Sequence, residues 1–233
     1  MDGNAASSRE FESYLYAITH DLKSYSRAMR VIPDWIVEDL GKSNATLPSE
    51  VADHLSMLQH YARGMDRMLD GLTDLSRVGR LADTPTKLDL RPALCHAWDT
   101  IPDTQGFVAN FDGAALAVIA PENDLQRLLR ALLDNCVRHH DRQVGRIAAF
   151  ATRQGDRVIL QMADDGPGIE APYREKVFEP LHTLFPKDDT GFSGLGLTIS
   201  RKVVSTLGGV IRIIDGPAQF GRGCLVECDL PAA

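Results

Sequence analysis

The chain has 233 residues, 44% hydrophobic and 24% charged, with a formal net charge of −7 and a pI near 5.5. This length carries one large or two modest folded domains with a sizeable core. The acidic balance argues against a phosphate-backbone binder, because nucleic-acid affinity comes mostly from lysine and arginine neutralising phosphates, so no DNA or RNA partner is expected.

From Phe11 to Ile36 the apolar residues Phe11, Leu15, Ile18, Leu22, Tyr25, Met29, Ile32 and Ile36 alternate steps of four and three. That spacing makes a seam of the kind helices use to pack side by side. Pro33 lies inside the stretch and predicts a kink. The polar run GKSNATLPSE follows, with Gly41, Asn44 and Pro48 as turn signals. The seam then resumes at Val51, Leu55, Leu58, Ala62, Met65, Leu69 and Leu72 and continues toward Leu75. Two long amphipathic helices joined by a short loop form an antiparallel hairpin. A lone hairpin buries too little surface to be stable, so the seam predicts a partner, most simply a second copy closing a four-helix bundle. Packing of the hairpin on the chain's own C-terminal half is the alternative.

After Asp83-Thr84-Pro85 the periodicity changes. Short β-branched runs (FVANFD, AALAVIA, RIAAFAT, RVILQMA, VIRIID, CLVECDL) alternate with helix-like stretches near 90–98, 122–140 and 194–207. This predicts an α/β sandwich with helices on one face of a sheet. The expected architecture is therefore multidomain α+β, with a helical hairpin over 1–83 and the sandwich over 84–233. Cys95, Cys136, Cys224 and Cys228 are scattered with no CxxC pair, which suits a reducing cytoplasm rather than a disulfide framework. No apolar run approaches the roughly 20 residues needed to cross a bilayer. The polar start does not read as a signal peptide, and any sensor or anchor is expected outside this sequence.

Several residues have chemistry suited to a site. His20 is midway between seam positions Ile18 and Leu22, about 180° from their mean direction, so it should face solvent. Ser24 is one turn later on nearly the same face, and Asp21 is beside it. A carboxylate holding one ring N–H leaves the other imidazole nitrogen free to attack phosphorus. Asp164-Asp165-Gly166-Pro167-Gly168-Ile169 follows an apolar strand directly. A carboxylate there can accept from an exocyclic amine while glycines admit a flat base, so Asp164 suits adenine; a tight turn is the plainer reading. Ser193-Gly194-Leu195-Gly196-Leu197 opens a helix, and glycine-rich backbone at a helix N-terminus offers N–H groups to phosphates. On the 122–140 helix the Asn135 amide oxygen can ligate Mg²⁺, with Arg138 a phosphate contact. His139, His140 and His182 read as solvated-face residues rather than as a metal site.

In order, AITHDLKSYSR, LLDNCVRHHDR, DDGPGI, VFEPLHTL and SGLGLTISRKVV resemble the phosphoacceptor, asparagine, first glycine, phenylalanine and second glycine boxes of HisKA-plus-HATPase histidine kinases in the GHKL ATPase superfamily. The wording is similar to kinases that follow PAS or phytochrome-type sensors. The resemblance implies a dimeric helical bundle and a Bergerat-type ATP-binding sandwich. It implies autophosphorylation of His20, assisted by Asp21 and Ser24, from Mg·ATP, and transfer to an aspartate of a response-regulator receiver domain. It implies a nucleotide site of Asn135, Arg138, His139, Asp164, Gly166, Gly168, Ile169, Gly194, Leu195, Gly196 and Leu197, with Asn135 on Mg²⁺. It also implies a mobile lid from Phe178 to Phe192.

The chain departs from the family pattern in several places. Ser24 and Tyr25 stand where threonine or asparagine and then proline are more usual, Ala131 where a polar residue is common, and Phe192 where the first glycine of GxGxG belongs. A scaffold or phosphotransfer protein with weak ATP turnover is the alternative function. A serine-directed kinase or ATP-driven clamp of the same superfamily gives no reason for His20.

Overall fold

The computed structural model describes residues 2–43, 47–80, 83–184 and 193–233, except for the side chains of residues 2–15, 17 and 20. The chain divides into two compact units, Met1–Ser76 with Thr183–Gly194 and Arg77–His182 with Leu195–Ala233.

The first unit is built on two helices, α1 (Asp2–Lys42) and α2 (Ser49–Arg77). Helix α1 is continuous through Pro33, whose ring is buried. The residues that face α2 are not those of the seam. Thr19, Ser26 and Pro33, seven apart, are buried on α1, and Ala62, Leu69 and Thr73 are buried on α2. Small side chains let the backbones approach, so that the Ser26 hydroxyl donates to the Ala62 carbonyl at 3.1 Å. Thr19 and Thr73 satisfy their hydroxyls on the Tyr16 and Leu69 carbonyls at 2.9 and 2.7 Å, so burying them leaves no unpaired donor. Seam residues Ile18, Leu22, Tyr25, Ile32 and Ile36 are each at least 40% exposed. They form a stripe about 100° around the helix from the Thr19–Ser26–Pro33 line.

In the second unit, β1 (Thr86–Asp89) pairs antiparallel with β3 (Ala117–Ala120). A five-stranded sheet runs β2-β4-β5-β7-β6, from β2 (Phe107–Gly113), β4 (Gly145–Gln154), β5 (Arg157–Asp164), β7 (Cys224–Pro231) and β6 (Ile211–Asp215). β2 pairs parallel with β4, and the remaining neighbours are antiparallel. The strand alternation works as the pleat requires: Val158, Leu160 and Met162 of β5 are buried, whereas Ile159 and Gln161 on the other face are half-buried. Against the sheet pack α3 (Leu90–Asp99), α4 (Glu122–Arg138) and α5 (Gly196–Thr206). Leu125, Leu128, Leu129, Leu132 and Leu133 of α4 are essentially inaccessible, each worth about 1.5–3 kcal/mol of transfer free energy.

These elements follow the sequence periodicity except for β1, whose four residues are too short to alternate visibly. Residues before Asp83 also bond into this unit. Val78 is buried, the Gly79 N–H donates to Asp124 Oδ2 at 3.1 Å, and Asp83 accepts from the Asn123 amide at 2.5 Å. The helix-stop signal after α5 acts as expected: Gly208 is left-handed (φ 70°) and the Gly209 N–H returns to the Val204 carbonyl at 2.9 Å.

Candidate functional site

Asp164 ends β5, and burial there defines its chemistry. Its Oδ1 accepts the Gly166 N–H at 2.8 Å and its Oδ2 the Cys224 thiol at 3.1 Å. The thiol of Cys136, on α4, lies near enough for the Asp164 charge to raise its pKa further. Desolvation pushes the Asp164 pKa up; the bonds from Cys224 and Gly166 pull it down without cancelling the rise. Burial pushes both thiols well up, so they remain S–H donors. The carboxyl thus accepts from one neutral thiol, on β7, and has a second, on α4, nearby. Because Asn135 immediately precedes Cys136, the packing of α4 on β5 puts the Asn135 turn beside the end of that strand.

The glycines around Asp164 serve crossings of the backbone. A Cβ on Gly166 would stand 2.8 Å from Asp164 Oδ1, blocking the bond that orients the carboxyl. Gly168 (φ 78°) abuts the Gly223 carbonyl, where a Cβ would sit at 2.9 Å. Gly223 (φ 99°) is tighter still, with a hypothetical Cβ 1.8 Å from the Asp164 carbonyl. Ile169 is half-buried beside them. Gly223, Cys224 and Cys136 escaped sequence reasoning because no spacing links them to Asp164; the GRGC string after the last turn was the available signal.

On α4, Asn135 is half-buried and its carbonyl accepts the His139 N–H at 3.1 Å as the helix ends. Arg138 is exposed and its guanidinium pairs with Asp134 at 2.6 Å. His139 is half-buried, and burial lowers its pKa, favouring the neutral ring. The solvated-face expectation fails for His140, whose side chain is 1% exposed. Because α4 ends at Arg138 rather than near residue 140, the chain turns and carries the ring inward, onto the Phe107 ring at 5.3 Å. His182 departs from it too, since its Nδ1 is buried.

At the other glycine box, α5 begins at Gly196, with Leu195 fully buried and Leu197 nearly so. Gly194 is left-handed (φ 65°) and groups with the first compact unit. Phe178, where the expected lid begins, is packed into the second unit. It is 2% exposed, its carbonyl accepts the Thr198 hydroxyl at 3.1 Å, and the Arg201 guanidinium lies 4.1 Å from its ring centre. Phe192 and residues 185–191 of that segment lie outside the described residues.

On α1, Asp21 is exposed, and the Ser24 hydroxyl donates back to the Asp21 carbonyl at 2.7 Å. His20 belongs to the helix, but its side chain lies outside the described ones. Among the described residues no three histidine, cysteine or acidic side chains converge as a metal cage. The amide oxygen of Asn135 is of the kind that a hard cation such as Mg²⁺ accepts as one ligand beside phosphate oxygens and water. Among the described residues no helix is long and apolar enough to cross a membrane.

Residues 120–233 match the family described as histidine kinase-, DNA gyrase B-, and HSP90-like ATPase. The sensor protein ChvG of Agrobacterium fabrum is 29% identical over 95% of this chain and 39% of its own length. The sensor protein KdpD of Mycobacterium tuberculosis is 28% identical over 94% of this chain and 26% of its own. The chain thus spans well under half the length of these relatives. Among solved structures, full-length ShkA in complex with AMPPNP aligns with a TM-score of 0.67 at 19% identity, covering 95% of this chain and 46% of that one. Histidine kinase ThkA in complex with the response regulator protein TrrA aligns at 0.63 and 18% identity, covering 97% and 64%. At such identities the likeness establishes the fold.

Proposed function

From the premise that residues 120–233 form a domain of the histidine kinase-, DNA gyrase B-, and HSP90-like ATPase family, in a chain related to sensor histidine kinases, we propose that this protein is a histidine kinase transmitter core. It takes the γ-phosphoryl group of Mg·ATP onto His20 and passes it to an aspartate of a receiver domain. The observation that carries this reading is the buried Asp164 carboxylate, held at the end of β5 beside the α4 turn that bears Asn135. An acceptor kept in place and shielded from water suits an exocyclic amine far better than a solvated turn does.

Asp164 accepts from adenine, and the Asn135 amide oxygen takes one position on Mg²⁺, the ion supplying charge neutralisation at the phosphates. Arg138, His139, Gly194 and Gly196 serve the phosphate side, and Gly168, Ile169, Leu195 and Leu197 shape the walls. At His20 a neutral ring nitrogen attacks phosphorus as the bond to the ADP oxygen breaks, while Asp21 holds the proton of the other ring nitrogen. The exposed stripe of Ile18, Leu22, Tyr25, Ile32 and Ile36 supports a homodimer closed through these helices, since an apolar face of this length is rarely left in water. A receiver partner is supported by ThkA, solved with a response regulator. The two domains of this reading are 1–83 and 84–233.

Incubation with γ-labelled ATP tests it. Acid-labile, base-stable label should appear on the wild type, be absent from His20→Ala, and move to a cognate receiver domain. Label that never appears favours a scaffold, and acid-stable label a serine-directed kinase.

A further inference from the structure

The segment immediately after α4 carries a second set of contacts that nucleotide recognition does not use directly. Asp165 Oδ1 accepts His140 Nε2 at 3.2 Å and the Arg146 N–H at 2.6 Å, and its Oδ2 accepts Arg146 Nε at 3.1 Å. The acceptor is a carboxylate, so Nε2 carries a proton and donates; Nδ1 lies 3.0 Å from the Arg142 nitrogen and 3.1 Å from the Arg142 carbonyl oxygen. Burial alone would raise the Asp165 carboxyl, but the bonds from Arg146 and His140 bring it below its ordinary value, keeping it an anion and an acceptor. The contacts close into a ring. Arg222 donates from Nε to the Gly166 carbonyl and from its second nitrogen to Asp141, each at 2.8 Å, and Asp141 adjoins His140.

The ring ties three segments together: the end of the helix bearing Asn135, the turn bearing Asp164 and Gly166, and the turn leading to Cys224. An amide at one end of a nucleotide and a carboxylate at the other serve only if their separation is fixed, and fixing it needs a link whose own rotamer is locked. His140 is that link. Its side chain is 1% exposed, stacked edge-on against Phe107, and bonded at both ring nitrogens. The slot is also closely fitted, since a Cβ on Gly145 would stand 2.7 Å from His140 Nε2.

We propose that His140 is a positioning residue for the nucleotide site, holding the Asn135 turn of α4 in register with the Asp164–Gly166 turn through its bond to Asp165. The assignment rests on the nucleotide reading above and adds a residue to it.

Calorimetric titration of the full chain with ADP and Mg²⁺ tests the assignment on two substitutions. His140→Phe keeps the ring volume and the Phe107 contact but has no donor; it should raise the ADP Kd roughly tenfold, the size of one lost bond to a carboxylate. His140→Gln retains an N–H donor and should stay within about threefold of the wild type. Val158→Ala, at the far end of β5 and about 20 Å away by strand rise, is a stability control expected to lower Tm with no change in Kd. A His140→Phe protein that binds ADP as the wild type does overturns the proposal, as does a His140→Gln protein as weak as His140→Phe. Should His140→Phe not fold, Asp165→Ala, which removes the acceptor, replaces it, with the same weakening expected and unchanged affinity overturning the assignment. A wild type that takes up no ADP overturns the nucleotide reading and this assignment together, whereas a binding wild type beside unaffected variants overturns the positioning role alone.

Discussion

In the proposed nucleotide site, Asp164 puts function and stability in opposition at a single side chain. Desolvation holds its carboxyl above the ordinary value, so between that value and the folded one the native state binds more protons than the unfolded state. Stability contributed by this group therefore falls as pH rises through that window, and at neutral pH the ionised form is a net cost. Asp164→Asn removes the cost and keeps an oxygen for the Gly166 N–H. It should abolish ADP uptake in calorimetry while raising Tm; relief of about 1 kcal/mol corresponds to roughly 2–4 °C in a domain of this size. In the wild type, ADP affinity should fall on acidification at a pH above that of an ordinary aspartate, because a protonated carboxyl offers the amine a poorer acceptor. A pH series of ADP titrations reads this, and a flat profile down to the ordinary carboxylate range would remove Asp164 from adenine recognition.

At the level of elements, the strand-end crossing shows which glycines the fold demands. Gly223 and Gly221 are both left-handed, with φ 99° and 71°, but a Cβ on Gly223 meets the Asp164 carbonyl and one on Gly221 meets nothing within 4 Å. Gly221→Ala should cost about 1 kcal/mol of backbone strain. Gly223→Ala should cost about 3 kcal/mol or more, because β7 and the end of β5 must part. Urea denaturation midpoints at constant m distinguish the two. Comparable losses would mean that backbone conformation, rather than the crossing, sets the requirement. Neither element's sequence announces this, since each strand is regular by itself and the conflict exists only where they meet.

For the whole molecule, the hairpin places small residues between its own helices and leaves its apolar stripe outward, so assembly is where that stripe would be buried. Ile18→Glu with Leu22→Glu should convert the proposed dimer to a monomer in analytical ultracentrifugation. The variants should retain helical circular dichroism, since Thr19, Ser26 and Ala62 are untouched. An unchanged sedimentation coefficient would place the interface elsewhere. The helical periodicity and the strand alternation made the two long helices and the sandwich legible in the sequence, and the DDGPG string marked the turn after β5, because periodicity and local turn chemistry are properties of neighbouring residues. Which face of α1 meets α2, the thiols around Asp164 and the inward turn of His140 were decided only by tertiary structure. Each depends on how closely two distant backbones approach and on what burial does to a polar group, and neither quantity exists until the segments are brought together.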